Sequence, residues 1–172
     1  MMTSIWVQRQ FQLGVPVSLF PNLIERLRGT PLRMEERVRG LAREVLTRRE
    51  GSNWSIQEHA GHLLDLGTLD LGRLDDFEGG VEVLRAADME NRKTYEAHHN
   101  ENSIESILDA FKEERGLFVK RLEGYDESFL SRRAIHPRLQ QAMGLADLIF
   151  FISEHDDHHL AKITELRRSF VA

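Results

Sequence analysis

The sequence contains no cysteine among its 172 residues. This absence excludes disulfide bonds, thiolate-bound zinc sites and catalysis by a cysteine nucleophile. It is compatible with a reducing compartment, where thiols are kept reduced. If sulfur chemistry takes place on this protein, a second molecule must supply the sulfur.

Long apolar runs are absent too. No run approaches the roughly 18 residues that a membrane-spanning helix needs. The N-terminal stretch MMTSIWVQRQFQLGVPVSLF lacks the basic region followed by an apolar region that marks a signal peptide. We therefore expect a cytoplasmic protein with no membrane partner.

The chain also lacks an excess of positive charge. Its 28 acidic residues outnumber its 23 lysines and arginines, for a formal net charge of -5. Because a nucleic-acid-binding protein usually presents a basic face, we expect no nucleic-acid partner. With 41% apolar residues, 4 prolines and no repeat or Gly/Ser linker, residues 1–172 are expected to form a single globular domain.

Apolar residues recur with helical spacing along most of the chain, and glycines and prolines separate the segments. Ser55 to Glu58 fits a capping box, and Asn102 to Glu105 resembles another. No stretch of strict alternation indicates a strand. The pattern predicts an all-α domain, an up-and-down four-helix bundle with additional short helices. The predicted helical segments are 17–28, a segment that starts at 30–31, 55–80, 103–124 and 145–170.

The last predicted helix carries HDDHHLAKI at residues 155–163. At about 100° per residue, His159 lies near the middle of the apolar stripe and His155 lies on it toward one side, whereas His158 falls beside the charged face. Two histidines one turn apart can reach one metal ion, as in an HExxH helix. Alternatively, each histidine forms a hydrogen bond with a facing helix, because buried polar groups need partners.

A third ligand is required, because two histidines hold a metal weakly. The candidates outside the last helix are His59, His62, His98, His99 and His136. Periodicity leaves both His59 and His62 open. His98 and His99 are expected to be solvated at a helix end, and His136 precedes a proline, which predicts extended backbone at a loop.

Other polar and aromatic residues have structural interpretations. We expect Arg115, Asp88 and Asn91 to be solvated helix residues rather than to line the opening of a site. Trp54 is expected to anchor the core under the capped helix. Asp156 lies close to the stripe and is a candidate partner that orients a histidine.

Three pieces, in this order, resemble a known family: NWSIQEHAGHLLDL, IHPRL and EHDDHHLAKI. They are similar to the DinB/YfiT-like superfamily of metal-dependent enzymes. The segments VSLFPNLIERLRGTPLRMEERVRGL and FKEERGLFVKRLEGYD extend the resemblance over nearly the whole chain.

The resemblance implies a four-helix bundle, commonly a homodimer, with a metal held by one histidine of the second helix and two of the last. Carried onto this sequence, the ligands are His62, His155 and His159. The resemblance, not the periodicity, thus selects His62 over His59. His158 matches a position that is often histidine without being a ligand. The implied cofactor is a divalent transition metal, zinc, nickel or iron, and the spacing does not choose between them.

Three imidazoles leave a position open to water or substrate, which is typical of a catalytic site. A metal there could lower the pKa of a bound water or thiol. We expect an enzyme that acts on a small-molecule substrate, an S-transferase that uses a low-molecular-weight thiol. The alternatives are a metal-dependent hydrolase and a non-catalytic, metal-binding dimeric helical module.

Overall fold

The chain folds mainly into helices, and the computed structural model describes residues 3–171. The helices are α1 Phe20–Arg28, α2 Thr30–Val38, α3 Arg43–Leu46, α4 Ile56–Asp65, α5 Gly67–Gly79, α6 Arg92–Glu96, α7 Ile104–Leu122, α8 Glu127–Leu130 and α9 Leu145–Val171. The strands β1 Arg133–His136 and β2 Gln141–Gly144 form an antiparallel hairpin. Short 3-10 turns lie at Trp6–Gln8, Val17–Leu19 and His99–Glu101. Each predicted helical segment therefore contains helix.

The start of α4 is a complete capping box, as predicted. Ser55 Oγ accepts a hydrogen bond from the Glu58 backbone N–H (3.1 Å), and the Glu58 carboxylate accepts one from the Ser55 N–H (2.9 Å). The box predicted at Asn102 to Glu105 is wrong by one residue: Ser103 is the N-cap of α7, and its Oγ accepts a hydrogen bond from the Ser106 N–H (3.1 Å). Ser106 has no carboxylate that could reach back to the N-cap. Gly40 separates α2 from α3 with a φ of 74°, which a residue without Cβ adopts at little cost.

Four helical rods form the bundle: α1–α2, α4–α5, α7 and α9. Two apolar cores lie at its opposite ends. The first core contains Leu27, Leu74, Phe118 and Ile149, and the second contains Met34, Leu63, Phe111 and Ile163. The first and fourth rods begin in the first core and end in the second. The second and third rods begin in the second core and end in the first. The first and fourth rods therefore run in one direction, and the second and third run in the other.

The predicted four-helix bundle is confirmed, and its third and fourth rods each run opposite to the direction that simple up-and-down alternation would give them. The second and third rods are parallel because residues 80–103 carry the chain back along the bundle before α7 begins. This crossover includes α6 and the 3-10 turn His99–Glu101, both of which pack on α4. The crossover thus covers the part of α4 that carries Gly61 and His62.

The β1–β2 hairpin was not predicted, because strands of four residues are too short for alternation to be recognised. Its backbone also pairs with the crossover: the Ile135 N–H donates to Glu82 O (2.8 Å), and the Leu84 N–H donates to Ile135 O (3.0 Å). This pairing holds the end of β1, with His136, against the bundle.

A buried ion pair lies between the two apolar cores. Arg115 on α7 donates to Asp156 on α9 through both terminal nitrogens, at 2.5 and 3.2 Å. Thr30 at the start of α2 donates to the same carboxylate at 2.9 Å. Three of the four rods are thereby connected by one carboxylate, which satisfies a charge that burial would otherwise make costly.

Replacing Asp156 with Ala should lower the free energy of unfolding by about 3–5 kcal/mol, because Arg115 would keep a buried charge without a partner. Urea denaturation measures the loss. Asp157→Ala is the matched control, since its side chain is 35% exposed and pairs with surface arginines, and it should cost about 1 kcal/mol or less. Equal losses in the two variants would contradict a central role for the buried pair.

Candidate metal centre

Three histidines meet near the middle of the bundle. His62 on α4 and His155 and His159 on α9 each offer one ring nitrogen, and these nitrogens lie within 4.8 Å of one another. The Nε2 atoms of His155 and His159 are 3.1 Å apart. Two nitrogens bound to one tetrahedral zinc ion, each about 2.0–2.1 Å from the metal, would be roughly 3.3 Å apart. The donor set therefore fits a divalent transition metal.

The second ring nitrogens of two of these histidines have partners of their own. His62 Nδ1 lies 2.9 Å from Thr94 Oγ1, and His159 Nδ1 lies 2.9 Å from His59 Nδ1. Both contacts leave Nε2 facing the shared space. Metal-binding histidines almost always use their other nitrogen in this way, which sets the tautomer and the ring orientation. His59, the alternative third ligand, thus contacts His159 through Nδ1 and is not one of the three clustered histidines.

Burial keeps these imidazoles neutral. Desolvation lowers the pKa of His62 to about 4 and the pKa of His59 to about 3. Desolvation, together with neighbouring imidazoles, holds the pKa values of His155 and His159 well below their ordinary value. Because a metal binds the neutral ring, these four side chains are in the required form at neutral pH.

Two tryptophans border the histidines. The Trp54 ring centroid lies 4.7 Å from that of His62, and the Trp6 centroid lies 4.7 Å from that of His155. Trp54 was expected to anchor the core, but it is half-buried and lines a cavity. Trp6 was not predicted, because nothing in the N-terminal stretch indicates which helix that segment packs on.

The histidines open onto a cavity of about 520 Å³. This volume is within the range of about 300–1,000 Å³ that small-molecule sites occupy. The wall combines Trp6, Trp54, Leu66 and Phe151 with the polar side chains of Asp70, Arg73, Arg115, His136 and Arg138. An apolar cavity with a few polar groups is typical of a site for a small organic molecule.

The three residues considered for the opening all line this cavity. Arg115 is only 3% exposed, so the expectation that it is solvated is wrong. Asp88 is exposed, as predicted, and its carboxylate accepts two backbone N–H groups of the turn before α6. Asn91 in that turn has a φ of 53°. Asp156 contacts Arg115 and Thr30 and forms no hydrogen bond with a histidine of the described chain.

The remaining histidines have separate environments. His158 lies outside the cluster of three nitrogens and packs beside Trp6. His98 is 69% exposed, as predicted. His99 is buried, contrary to the prediction: its Nε2 lies 2.8 Å from an Asp65 oxygen, and its ring occupies the space where a Cβ of Gly61 would be. The glycine inside the α4 pattern was a signal for such close packing.

Comparisons with known proteins identify the family and the fold of the chain. The family model of the DinB superfamily matches residues 26–163, which is most of the chain. Among solved structures, YfiT from Bacillus subtilis, described as a probable metal-dependent hydrolase with an unusual four-helix bundle topology, superposes with a TM-score of 0.75. The two chains are 18% identical, and the match covers 94% of this chain and 93% of that chain. Such a likeness shows the fold.

A comparison with curated proteins gave no match. Within residues 3–171, no helix is long and apolar enough to cross a membrane.

Metal-free protein should lose stability as the pH falls from about 7 to 5. The folded-state pKa of His62, about 4, lies below the ordinary value of 6.5. Between these values the unfolded chain takes up a proton that the folded chain does not, so stability is full above the unfolded pKa and decreases below it. Each such buried histidine contributes up to about 1.4 kcal/mol per pH unit.

Urea denaturation in the presence of a chelator measures this dependence. His155→Gln should reduce the slope, because it removes one buried imidazole, whereas His98→Gln, at an exposed position, should leave it unchanged. A slope that is the same in the parent and both variants would contradict the burial of neutral imidazoles.

Proposed function

The chain belongs to the DinB superfamily, and from this we propose that it is a metal-dependent enzyme whose metal ion is held by His62, His155 and His159. The observation that carries the proposal is the convergence of three neutral imidazoles, with nitrogens within 4.8 Å of one another, on the wall of a cavity. Three protein ligands leave at least one coordination position for water or substrate. A site that opens into a cavity supports catalysis over a purely structural role.

The metal, when bound, supplies a Lewis acid that lowers the pKa of a water or thiol at its open position. The protein supplies orientation and exclusion of bulk water. Thr94 and His59 hold the rings of His62 and His159 through their Nδ1 atoms. The ring of Trp6 packs against His155 and the ring of Trp54 against His62. These apolar surfaces lower the local dielectric and strengthen electrostatic interactions in the site.

We favour a low-molecular-weight thiol as the nucleophile and an S-transferase as the enzyme class. The chain has no cysteine, so any sulfur must enter with a cosubstrate. A cavity of about 520 Å³ has room for a small thiol beside an electrophile. In this reaction the sulfur bonds to the electrophilic carbon, the leaving group departs with its electron pair, and the thiol proton passes to solvent.

Metal-dependent hydrolysis is the second candidate. It is supported by the description of YfiT, which has the same fold. Hydrolysis needs one organic substrate and a water, and the site offers space for both. A non-catalytic metal-binding module agrees less well with the open cavity. A homodimeric assembly and a cytoplasmic location stay predictions that rest on the family resemblance and on the composition.

Protein produced without added metal should contain about one equivalent of a transition metal per chain, and His159→Ala should contain none. His158→Ala is the matched control, one residue away, and should keep its metal. His59→Ala should bind the same metal about 10–100-fold more weakly, because the ring of His159 loses its orienting partner. Elemental analysis and competition with a chelator measure these quantities.

A full equivalent in His159→Ala, or a large loss in His158→Ala, would contradict the ligand set. The same elemental analysis identifies the metal. Circular dichroism of each variant shows whether the helices are retained.

Metal-loaded protein should accelerate the reaction of a low-molecular-weight thiol, such as cysteine or glutathione, with monochlorobimane, which becomes fluorescent on substitution. The acceleration should disappear in His62→Ala, which lacks a ligand, and persist in His158→Ala. Parallel assays with p-nitrophenyl acetate in the absence of thiol test hydrolysis. Hydrolysis without thiol transfer would favour the hydrolase. If no thiol reacts and no hydrolysis is seen, the non-catalytic module is favoured.

A further inference from the structure

A group of basic side chains that do not belong to the three-histidine cluster also lines the cavity. It consists of Arg73 on α5, His136 at the end of β1 and Arg138 in the turn that follows, and we call it the basic wall. All three residues border the same cavity as the candidate metal ligands. None of them has a role in the proposed metal site.

The backbone sets the tautomer of His136. Its Nδ1 accepts the backbone N–H groups of Arg138 and Leu139, each at 3.2 Å. Burial first, and then the charges of Arg73 and Arg138, lower the pKa of His136 to about 4, so the ring is neutral. A neutral imidazole with an accepting Nδ1 carries its hydrogen on Nε2. That Nε2–H is buried, and no acceptor lies within reach of it in residues 3–171.

Arg138 has a second unsatisfied donor. Its Nη1 donates to Val7 O at 3.3 Å, while its buried Nη2 has no acceptor in the described part of the chain. The guanidinium carbon lies 5.4 Å from the ring centroid of Phe151 and 5.8 Å from that of Trp6. These rings pack near the guanidinium, and Nη2 stays available to a partner from outside the chain.

Arg73 is the third donor, and it is 3% exposed. Its Nε donates to Arg85 O at 3.3 Å, and it forms no salt bridge within residues 3–171. Arginine is almost never so deeply buried without a paired anion. The neighbouring Arg85 has its own partner in Asp76. Asp70 and Asp76 act on the charge of Arg73, and neither forms a salt bridge with it in the described residues. The guanidinium can therefore still accept an anion from outside the chain.

The charges of the cavity agree with this. Asp156 is already paired with Arg115. Asp70 is the other buried carboxyl on the wall, and desolvation raises its pKa to about 7. Asp88, the remaining carboxylate of the lining, is exposed and accepts two backbone N–H groups. When Asp70 is protonated, Arg73 and Arg138 are therefore the lining guanidinium groups without a paired carboxylate in residues 3–171.

We propose that the basic wall binds an anionic group, a carboxylate or a phosphate, of the molecule that reacts at the three-histidine site. Three convergent N–H donors, two of them on guanidinium groups, match the acceptor oxygens of such a group, and arginine binds both kinds of anion through two parallel hydrogen bonds. The inference rests on the proposed function, because it takes the substrate to occupy the same cavity. It defines the substrate class as a small organic anion.

The test uses inorganic phosphate and succinate as probes, titrated calorimetrically into the full chain. A bound metal could itself attract an anion, so each titration is made in the parent protein and in a His159→Ala background treated with chelator. Arg138→Gln should weaken binding of the preferred anion by about tenfold or more in both backgrounds, because a charge-assisted hydrogen bond is lost. Arg92→Gln, at an exposed position outside the cavity, is the matched control and should leave binding unchanged.

Arg73→Gln is the second variant and should have the same effect, with circular dichroism to verify that the helices are retained. A stronger response to succinate would identify a carboxylate substrate, and a stronger response to phosphate would identify a phosphorylated one. The proposal is overturned if neither probe binds the parent at tens of millimolar, if Arg138→Gln binds as well as Arg92→Gln, or if binding disappears with His159→Ala alone. Anion binding that survives the loss of the metal would support the basic wall even if the metal-dependent activity failed.

Discussion

The constraint on which this structure depends is the burial of polar side chains between two apolar cores. Each buried nitrogen or oxygen needs a partner, because an unpaired polar group in such an environment costs free energy. Cross-helix contacts supply such partners for several polar groups at the centre of the bundle. Asp156 accepts hydrogen bonds from Arg115 and Thr30, and His59 pairs with His159. These contacts set the relative positions of the rods at the level where the cavity lies.

The path of the chain makes the cavity possible. Because the crossover of residues 80–103 returns along the bundle, it brings Thr94 onto His62 and the buried His99 onto α4. The same crossover pairs with β1, which holds His136 against the cavity. A four-helix bundle whose rods are joined by short loops would lack these segments. Here, segments outside the four rods provide much of the wall.

The cavity wall carries two chemically different groups of side chains. One group offers neutral imidazole nitrogens that suit a transition metal, and the other offers N–H donors and guanidinium charges. A substrate whose anionic group lies against Arg73 and Arg138 would present its remaining atoms toward His155 and His159. Such a two-point arrangement orients a small molecule before reaction, which is how a site converts binding into rate acceleration. The aromatic side chains between the two ends suit the uncharged part of the molecule.

Residue spacing alone predicted the helical segments, the capping box at Ser55 and the inward direction of His155 and His159. These are local properties: they depend on the 3.6-residue period and on side chains that contact their own backbone. Periodicity left His59 and His62 open, and only the family resemblance chose between them. Which side chain each buried group contacts depends on the tertiary fold. Several features depend on contacts between residues far apart in the chain. They are the contact of His59 with His159, the placement of Trp6, the burial of His99 and the parallel second and third rods. A helical period reports which face is buried and carries no information about what lies opposite that face, so these features could be known only from the fold.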